Sequence, residues 1–197
     1  MKQIIGLTGP TGSGKSSAVA NAEKFGITVI DCDKTVHEIF KVEEGCKCAL
    51  RGAFGEDVVK DGEVDRKALA QIAFSTKENT LLLNDTVFPF VTYRILADIE
   101  GAKGNIVLLD APTLFESGID ELCGSTIAVL ADRDIRIKRI IGRDGLTEEA
   151  AIVRINAGKD DEFYLEKADY VLYNNGEQSV FEAEFNNLLG KLVVGGN

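Results

Sequence analysis

The chain has 197 residues, 45% hydrophobic and 27% charged, with 22 Lys+Arg against 32 Asp+Glu and a formal net charge of −10. This length gives one domain, or one core with a small inserted lobe, and a fold of this size buries roughly 70% of the surface of the unfolded chain. The composition excludes disorder, collagen-like repeats and coiled coil, and the acidic balance disfavours non-specific binding to nucleic acid or an anionic membrane.

Residues 4–8 are a short apolar run ending in a glycine-rich turn, and 16–24 read as a helix. Residues 28–30 form a second short strand, expected to run adjacent to that glycine-rich turn, and Asp33 is placed to cap a helix that reaches about Phe40. From Gly45 to Gly101 the pattern is helical with breaks, giving helices over 48–54, 66–74, 78–85 and 89–100. Residues 105–110 are a continuous apolar run of the kind buried on both faces of a parallel sheet. A strand at 126–130, a basic helix at 132–143, a helix at 147–157, a strand at 170–173 and a closing helix at 179–192 complete the chain, with Gly195-Gly196-Asn197 as a fraying tail. Strands alternating with helices predict an α/β fold, a parallel sheet with helices on both faces. The helical stretch between the second and third strands is too long for a plain crossover, so it is expected to form a lobe.

Four cysteines (Cys32, Cys46, Cys48, Cys123) in a chain this long do not make a disulfide framework. Cys46 and Cys48 lack the second pair that zinc would need, and His37 is the only histidine. No apolar run reaches the ~20 residues that span a bilayer, and no signal-peptide pattern opens the chain, so a cytoplasmic, reducing location is expected.

Gly9-Pro10-Thr11-Gly12-Ser13-Gly14-Lys15-Ser16 fits G-x-x-x-x-G-K-S/T. Glycines let the loop curl so that successive N–H groups face phosphate oxygens, and the helix that follows adds the positive end of its dipole. Lys15 can reach the β- and γ-phosphates and the Ser16 hydroxyl can ligate Mg²⁺. The motif follows a strand and opens a helix, which is the context a phosphate-binding loop requires.

Ligands of doubly wound sheets sit off the carboxyl ends of the strands. Asp31 and Asp33 end the second strand and Asp110 the third, where a carboxylate can orient Mg²⁺ or take a proton from an attacking hydroxyl. Capping by Asp33, with Asp31 as a turn residue, is the structural alternative. Asp110-Ala111-Pro112-Thr113 is not the D-x-x-G of a GTP-driven switch, and no N-K-x-D occurs. Arg139 and Arg143 are four apart on one helix face, and Arg136 and Arg154 lie nearby. Arginine offsets the charge that spreads over a transferring phosphoryl group, and residues 142–167 could form a lid carrying such cations. For Arg136 a solvated face is the structural alternative. His37, one turn after Asp33, is either a satisfied helix histidine or a contact to substrate.

Several blocks occur in order along residues 4–192. They are the loop from Ile5 to Ser16, Val29-Ile30-Asp31-Cys32-Asp33 with His37, Phe54-Gly55-Glu56-Asp57, and Asp61-Gly62-Glu63-Val64-Asp65-Arg66-Lys67-Ala68-Leu69. Then come residues 109–118 from Leu109 to Gly118, Arg143-Asp144-Gly145-Leu146-Thr147, Arg154-Ile155, Ala168-Asp169-Tyr170-Val171, and Asn174 with Gly176. Together they resemble the dephospho-coenzyme A kinase family. The resemblance implies ATP-dependent phosphorylation of the ribose 3′-hydroxyl of dephospho-CoA with Mg²⁺. It implies a P-loop NTPase-type core of five parallel strands (1–54 and 102–197, lid about 142–167) with a helical substrate lobe at 55–101.

The same resemblance casts Asp33 as the base, with Lys15, Arg139 and Arg143 at the transferring phosphate. It gives ATP to Gly12, Ser13, Gly14, Lys15, Ser16, Ser17 and Arg143, with Asn174 near the adenine and Ser16 on the metal. It gives the acceptor to Thr8, Asp33, His37, Asp110, Pro112, Leu114 and Arg154. The small-molecule substrate is the expected partner, without nucleic acid or membrane, on a monomer.

The chain departs from the family pattern at Phe88-Pro89, where His-Pro is usual, and at Thr92, where an arginine is usual and Arg94 lies nearby. It departs again at Gly158, where glutamine is usual, and at Pro10-Thr11, where Gly-Ile is frequent. Two other functions stay open on the residues alone: a P-loop kinase of another nucleoside-like or nucleotide acceptor, and an ATP-binding module with little turnover.

Overall fold

The computed structural model describes residues 2–194, so the tail at 195–197 lies outside the described residues. In chain order the elements are β1 (Gln3–Thr8), α1 (Lys15–Lys24), β2 (Thr28–Asp31), α2 (Cys32–Val42), α3 (Glu44–Phe54), β3 (Val59–Lys60), β4 (Glu63–Val64), α4 (Arg66–Ala73) and α5 (Lys77–Gly101). There follow β5 (Ile106–Asp110), β6 (Ser125–Leu130), α6 (Arg133–Asp144), α7 (Glu148–Asn156), α8 (Asp161–Lys167), β7 (Tyr170–Tyr173) and α9 (Gln178–Val194). The chain divides into two compact units, Met1–Ile30 with Ala102–Asn197, and Asp31–Gly101.

The first unit is built on a five-stranded sheet in the order β2-β5-β1-β6-β7. β1 pairs in parallel with β5 (Ile5 opposite Leu108) and with β6 (Thr8 opposite Ala128), and β6 pairs in parallel with β7. β5 therefore lies between β1 and β2. The choice of neighbour follows hydrophobicity: Val107, Leu108 and Leu109 of β5 are fully buried, which suits an interior strand, whereas β2 is only partly buried.

Successive residues of a strand face opposite sides, and β6 shows both. Ile127 and Val129 pack with Ala18 and Ala22 of α1 and with Phe181, Phe185 and Leu189 of α9. Ala128 and Leu130 pack with Tyr164 of α8 and with Phe115. Helices thus cover both faces. The α6 and α7 helices join through Ile137, Ile140, Ala151 and Ile155. Sequence reading missed α8, which Asp160 caps by accepting from the Phe163 N–H at 3.0 Å.

The second unit gathers α2, α3 and α4 on α5, around Leu50, Val58, Leu69, Val87, Val91 and Ile95. It begins at Asp31, whereas the sequence placed the start of the lobe at 55. The reason is the packing of α2 and α3 on α5. Two further differences have local causes. Asp61 (φ 52°) and Gly62 (φ 80°) form the tip of the β3–β4 hairpin, and an Asp-Gly pair with both φ positive is the preferred two-residue turn. The two helices expected at 78–85 and 89–100 are one helix of 25 residues, with Pro89 inside it. Proline removes one hydrogen bond from a helix, and here the apolar positions Val87, Val91, Ile95 and Ile99, all buried, keep the helix continuous. Among the described residues no helix is long and apolar enough to cross a membrane.

Candidate active site

The carboxyl end of β1 turns into the glycine-rich loop. Gly12 (φ 81°) and Gly14 (φ 90°) adopt backbone conformations that other residues resist. A Cβ at Gly12 would come within 2.9 Å of the Arg136 carbonyl, and one at Gly14 would collide with the Asn174 amide. α1 then starts at Gly14 with no side-chain cap and no acidic residue in its first turn. Its N-terminal amides and dipole are therefore presented to whatever anion enters the loop.

Side chains from α6 and from Asn174, the residue after β7, hold three successive loop carbonyls. Arg136 Nε donates to Thr11 O at 3.0 Å. Arg139 Nη1 donates to Gly12 O at 3.3 Å and to Ser13 O at 3.0 Å. Asn174 Nδ2 also donates to Ser13 O, at 3.1 Å. Arg139 Nη2 in turn donates to Asn174 O at 2.9 Å and to its Oδ1 at 3.2 Å. Fixing these carbonyls fixes the orientation of the peptide planes, and hence where the N–H groups point.

An open cleft of about 600 Å³ lies against this loop, lined by Gly9 to Ser17 together with Asp110, Pro112, Arg139, Arg143, Asn174 and Gly176. Lys15 forms an ion pair with Asp110, the last residue of β5; their side chains are 15% and 18% exposed. Asp110 thus holds the ammonium of Lys15 at the mouth of the loop. The Ser13 hydroxyl is buried there with no hydrogen-bond partner among the described residues.

The residues singled out from sequence fall into distinct places. Gly12, Ser13, Gly14, Lys15, Ser16, Ser17, Asp110, Pro112, Arg139, Arg143 and Asn174 line the cleft. Arg139, expected at the transferring phosphate, spends both terminal nitrogens on the loop and on Asn174, and burial lowers its pKa. Asn174, expected beside the adenine, is buried with its amide bonded to Ser13 and Arg139. Leu114 is fully buried and lies against Gly6, so it is packing and not a lining residue. Thr8 is likewise buried, tying the end of β1 to the segment after β5 by donating to Pro112 O at 3.2 Å.

Arg143 is 59% exposed and donates twice to Asp144, at 2.8 and 2.9 Å. Arg154 is 51% exposed and donates to the same carboxylate at 2.6 Å. Asp144 is the shared anchor of both, and the Arg143 hydrogen bond lowers its pKa. The sequence reading left Asp144 without a role of its own. Arg136 was weighed as a solvated residue; it is 4% exposed. Its spacing carried a signal, since it lies four residues before the core residue Ile140.

In the second unit, Asp31 caps α2, accepting from the Lys34 N–H at 2.9 Å. The cap assigned to Asp33 thus belongs to Asp31. Asp33 and His37 are exposed and one turn apart on α2. Arg94, beside the departure at Thr92, is engaged by Asp98 at 3.1 Å and Glu38 at 3.3 Å.

A family model described as dephospho-CoA kinase matches residues 3–179. The chain is 35% identical to a dephospho-CoA kinase of Idiomarina loihiensis over 189 residues, 95% of this chain and 94% of the relative. A crystal structure of TT1252 from Thermus thermophilus superposes with a TM-score of 0.80 at 32% identity, covering 97% of this chain and 98% of the other. A dephospho-CoA kinase structure from Campylobacter jejuni gives a TM-score of 0.69 at 28% identity over the whole of both chains. With the phosphate-binding loop, its lysine and the five-stranded sheet in place, this chain belongs to the dephospho-CoA kinase family of enzymes.

Proposed function

We propose that the chain transfers the γ-phosphoryl group of ATP to the ribose 3′-hydroxyl of dephospho-CoA, giving coenzyme A and ADP. The observation that carries this is the braced loop beside Lys15, in a chain that matches the family over most of its length. A triphosphate seated in the loop would meet loop amides and the start of α1. Lys15 would exchange part of its pairing with Asp110 for the β- and γ-phosphate oxygens. It would arrive already positioned, which lowers the reorganisation needed at the transition state.

The Ser16 hydroxyl and the Asp110 carboxylate are hard oxygen donors on the same cleft, and they would hold Mg²⁺. Among the described residues no cluster of three or more His, Cys, Asp or Glu side chains forms a metal cage. A magnesium ion keeps several waters and shares phosphate oxygens, so few protein donors are needed. When bound, the ion offsets charge on the β- and γ-phosphates.

Asp33 is the base we assign to the acceptor hydroxyl. It stands two residues beyond the end of β2, at the carboxyl edge where ligands of such sheets bind, and Asp31 relieves it of capping. A carboxylate there accepts the hydroxyl proton as the oxygen attacks the γ-phosphorus. Arg143 and Arg154 would bring positive charge from the lid segment 142–167, released from Asp144 as phosphate oxygens compete for them. A monomer in the cytoplasm is the setting we assign.

The test is ADP release from MgATP with and without dephospho-CoA, together with the mass of the product. A dephospho-CoA-dependent rate and a product heavier by one phosphoryl group are expected. ATP binding without acceptor-stimulated turnover would overturn the substrate assignment and favour another ribose-bearing acceptor, tested in the same assay.

A further inference from the structure

We propose that Arg136 is a positioning residue for the nucleotide phosphates: its guanidinium ties the phosphate-binding loop at Thr11 to helix α8 at Asp161. The inference rests on the assignment of the loop as a nucleotide site and goes beyond it, because Arg136 and Asp161 do not line the cleft.

Arg136 is 4% exposed, and two of its contacts define its orientation. Nε donates to Thr11 O at 3.0 Å, and Nη1 donates to Asp161 Oδ1 at 3.2 Å. Among the described residues its remaining terminal nitrogen is buried with no hydrogen-bond partner, so these two hydrogen bonds orient the group. Its backbone also presses on the loop, since a Cβ on Gly12 would meet the Arg136 carbonyl. Burial works against the charge and Asp161 works for it. A buried guanidinium is tolerated only with such a counter-charge.

Asp161 is well placed to supply it. It opens α8 directly after the capping residue Asp160, so the helix start is fixed by its own hydrogen bond. One turn further, Tyr164 is buried against Ala128 and Leu130 of β6, and Phe163 makes edge contacts with Phe115 and Tyr164. Helix α8 is therefore anchored to the sheet, and Asp161 projects from that anchor to Arg136. The loop carbonyl of Thr11 is thus referred to the sheet through one guanidinium. Removing the carboxylate leaves the guanidinium with less counter-charge and only Thr11 O to hold its orientation, and the peptide plane between Thr11 and Gly12 loses its fixed direction.

The test measures MgADP binding by calorimetry for the wild-type chain, Asp161→Asn, Arg136→Lys and the double variant, with ATP saturation kinetics for each. The Asp161 side chain is 43% exposed, so Asp161→Asn folds. It is expected to weaken MgADP binding and raise the KM for ATP by about tenfold, the scale of one charge-assisted contact. Its kcat should stay within about twofold. Arg136→Lys should weaken binding similarly, since lysine cannot span both acceptors, and Asp161→Asn should add little to it. A merely structural pair would lower the melting temperature without changing KM relative to kcat. Unchanged MgADP affinity in Asp161→Asn, or fully additive effects in the double variant, would overturn the inference alone. A wild-type chain that does not bind MgADP would overturn the nucleotide assignment and the inference with it.

Discussion

Arg139 separates two accounts of this site. An arginine that meets the transferring phosphoryl group lowers kcat by 10³–10⁵ when it is lost. In the structure, Arg139 instead donates to Ser13 O at 3.0 Å, to Gly12 O at 3.3 Å, to Asn174 O at 2.9 Å and to Asn174 Oδ1 at 3.2 Å. Two of these are short, and each charge-assisted bond contributes about 1.5–3 kcal/mol when made in a partly buried setting. The longer two share the same nitrogens and add little. Replacing Arg139 by Met keeps the apolar stem and removes the bonds, for an expected loss of about 3 kcal/mol of stability. At roughly 2–4 °C per kcal/mol for a chain of this size, the melting temperature should fall by about 6–12 °C. MgADP affinity should fall about tenfold as the loop amides lose their fixed aim. The kcat at saturating ATP should fall less than about tenfold, because a brace serves ground and transition states alike. Asn174→Ala should act in the same direction, and the two changes together should be less than additive, since they share Ser13 O. Thermal melting, calorimetry and initial rates on the four proteins decide it. A kcat loss of a thousandfold or more with melting temperature and MgADP affinity unchanged would refute the brace and return Arg139 to the phosphate.

Asp33→Asn should leave MgATP binding nearly intact and lower kcat by roughly 10²–10⁴, the range for a lost general base; a variant with near wild-type kcat would make Asp33 a bystander. Pro89→Ala gives α5 an N–H four residues beyond the Asp85 carbonyl. Because proline in a helix interior costs about 3 kcal/mol relative to alanine, a higher melting temperature is expected, and an unchanged or lower one would mean the helix is built around the proline. Burial pushes the Cys46 thiol up to about 11 and the Cys123 thiol up to about 12 from an ordinary 9.0. Below pH 9 both states hold these protons. Above it the unfolded chain releases them while the folded one retains them, so stability should fall with rising pH, by up to about 1.4 kcal/mol per pH unit per thiol, until the folded values are reached. Melting curves from pH 8 to 11 on the wild type and on Cys46→Ala/Cys123→Ala test this: the variant should show the shallower decline, and parallel declines would rule the thiols out.

The phosphate loop was legible because its chemistry and its backbone geometry demand the same residues: glycines where φ is positive and a lysine and serine at the helix start. The strand at Ile106–Asp110 was legible because burial on both faces leaves an unbroken apolar run. What was not legible depended on partners distant in sequence. For Arg139, spacing gives the helix face and not the acceptors of its hydrogen bonds, which lie 127 and 35 positions away. Leu114 sits in a block that reads as substrate-binding, yet it is spent on the space that Gly6 leaves. Asp31 and Asp33 both fit a cap by type, and only the fold decides that the helix starts at Cys32 and not later. The hairpin at Asp61-Gly62 was written plainly in the turn residues, but its strands are two residues each, too short for alternation to register.

A chain with a net charge of −10 that binds a polyphosphate must build its attraction locally. Long-range steering offers little, since exposed charges more than about 8–10 Å away are screened at physiological salt. The local solution here uses arginines at one remove. Arg136 and Arg139 donate to the loop's carbonyls, so their charge orients the loop's peptide dipoles, while Lys15 is a cation held at its mouth. The arrangement keeps cations that would otherwise attract any anion partly buried behind the backbone. Selectivity then comes from the number of amides a ligand can engage at once, which favours a chain of phosphates over a single one. For this reason the bracing residues and not the net charge should govern affinity, and loss of a brace should weaken triphosphate and diphosphate binding more than it weakens binding of inorganic phosphate.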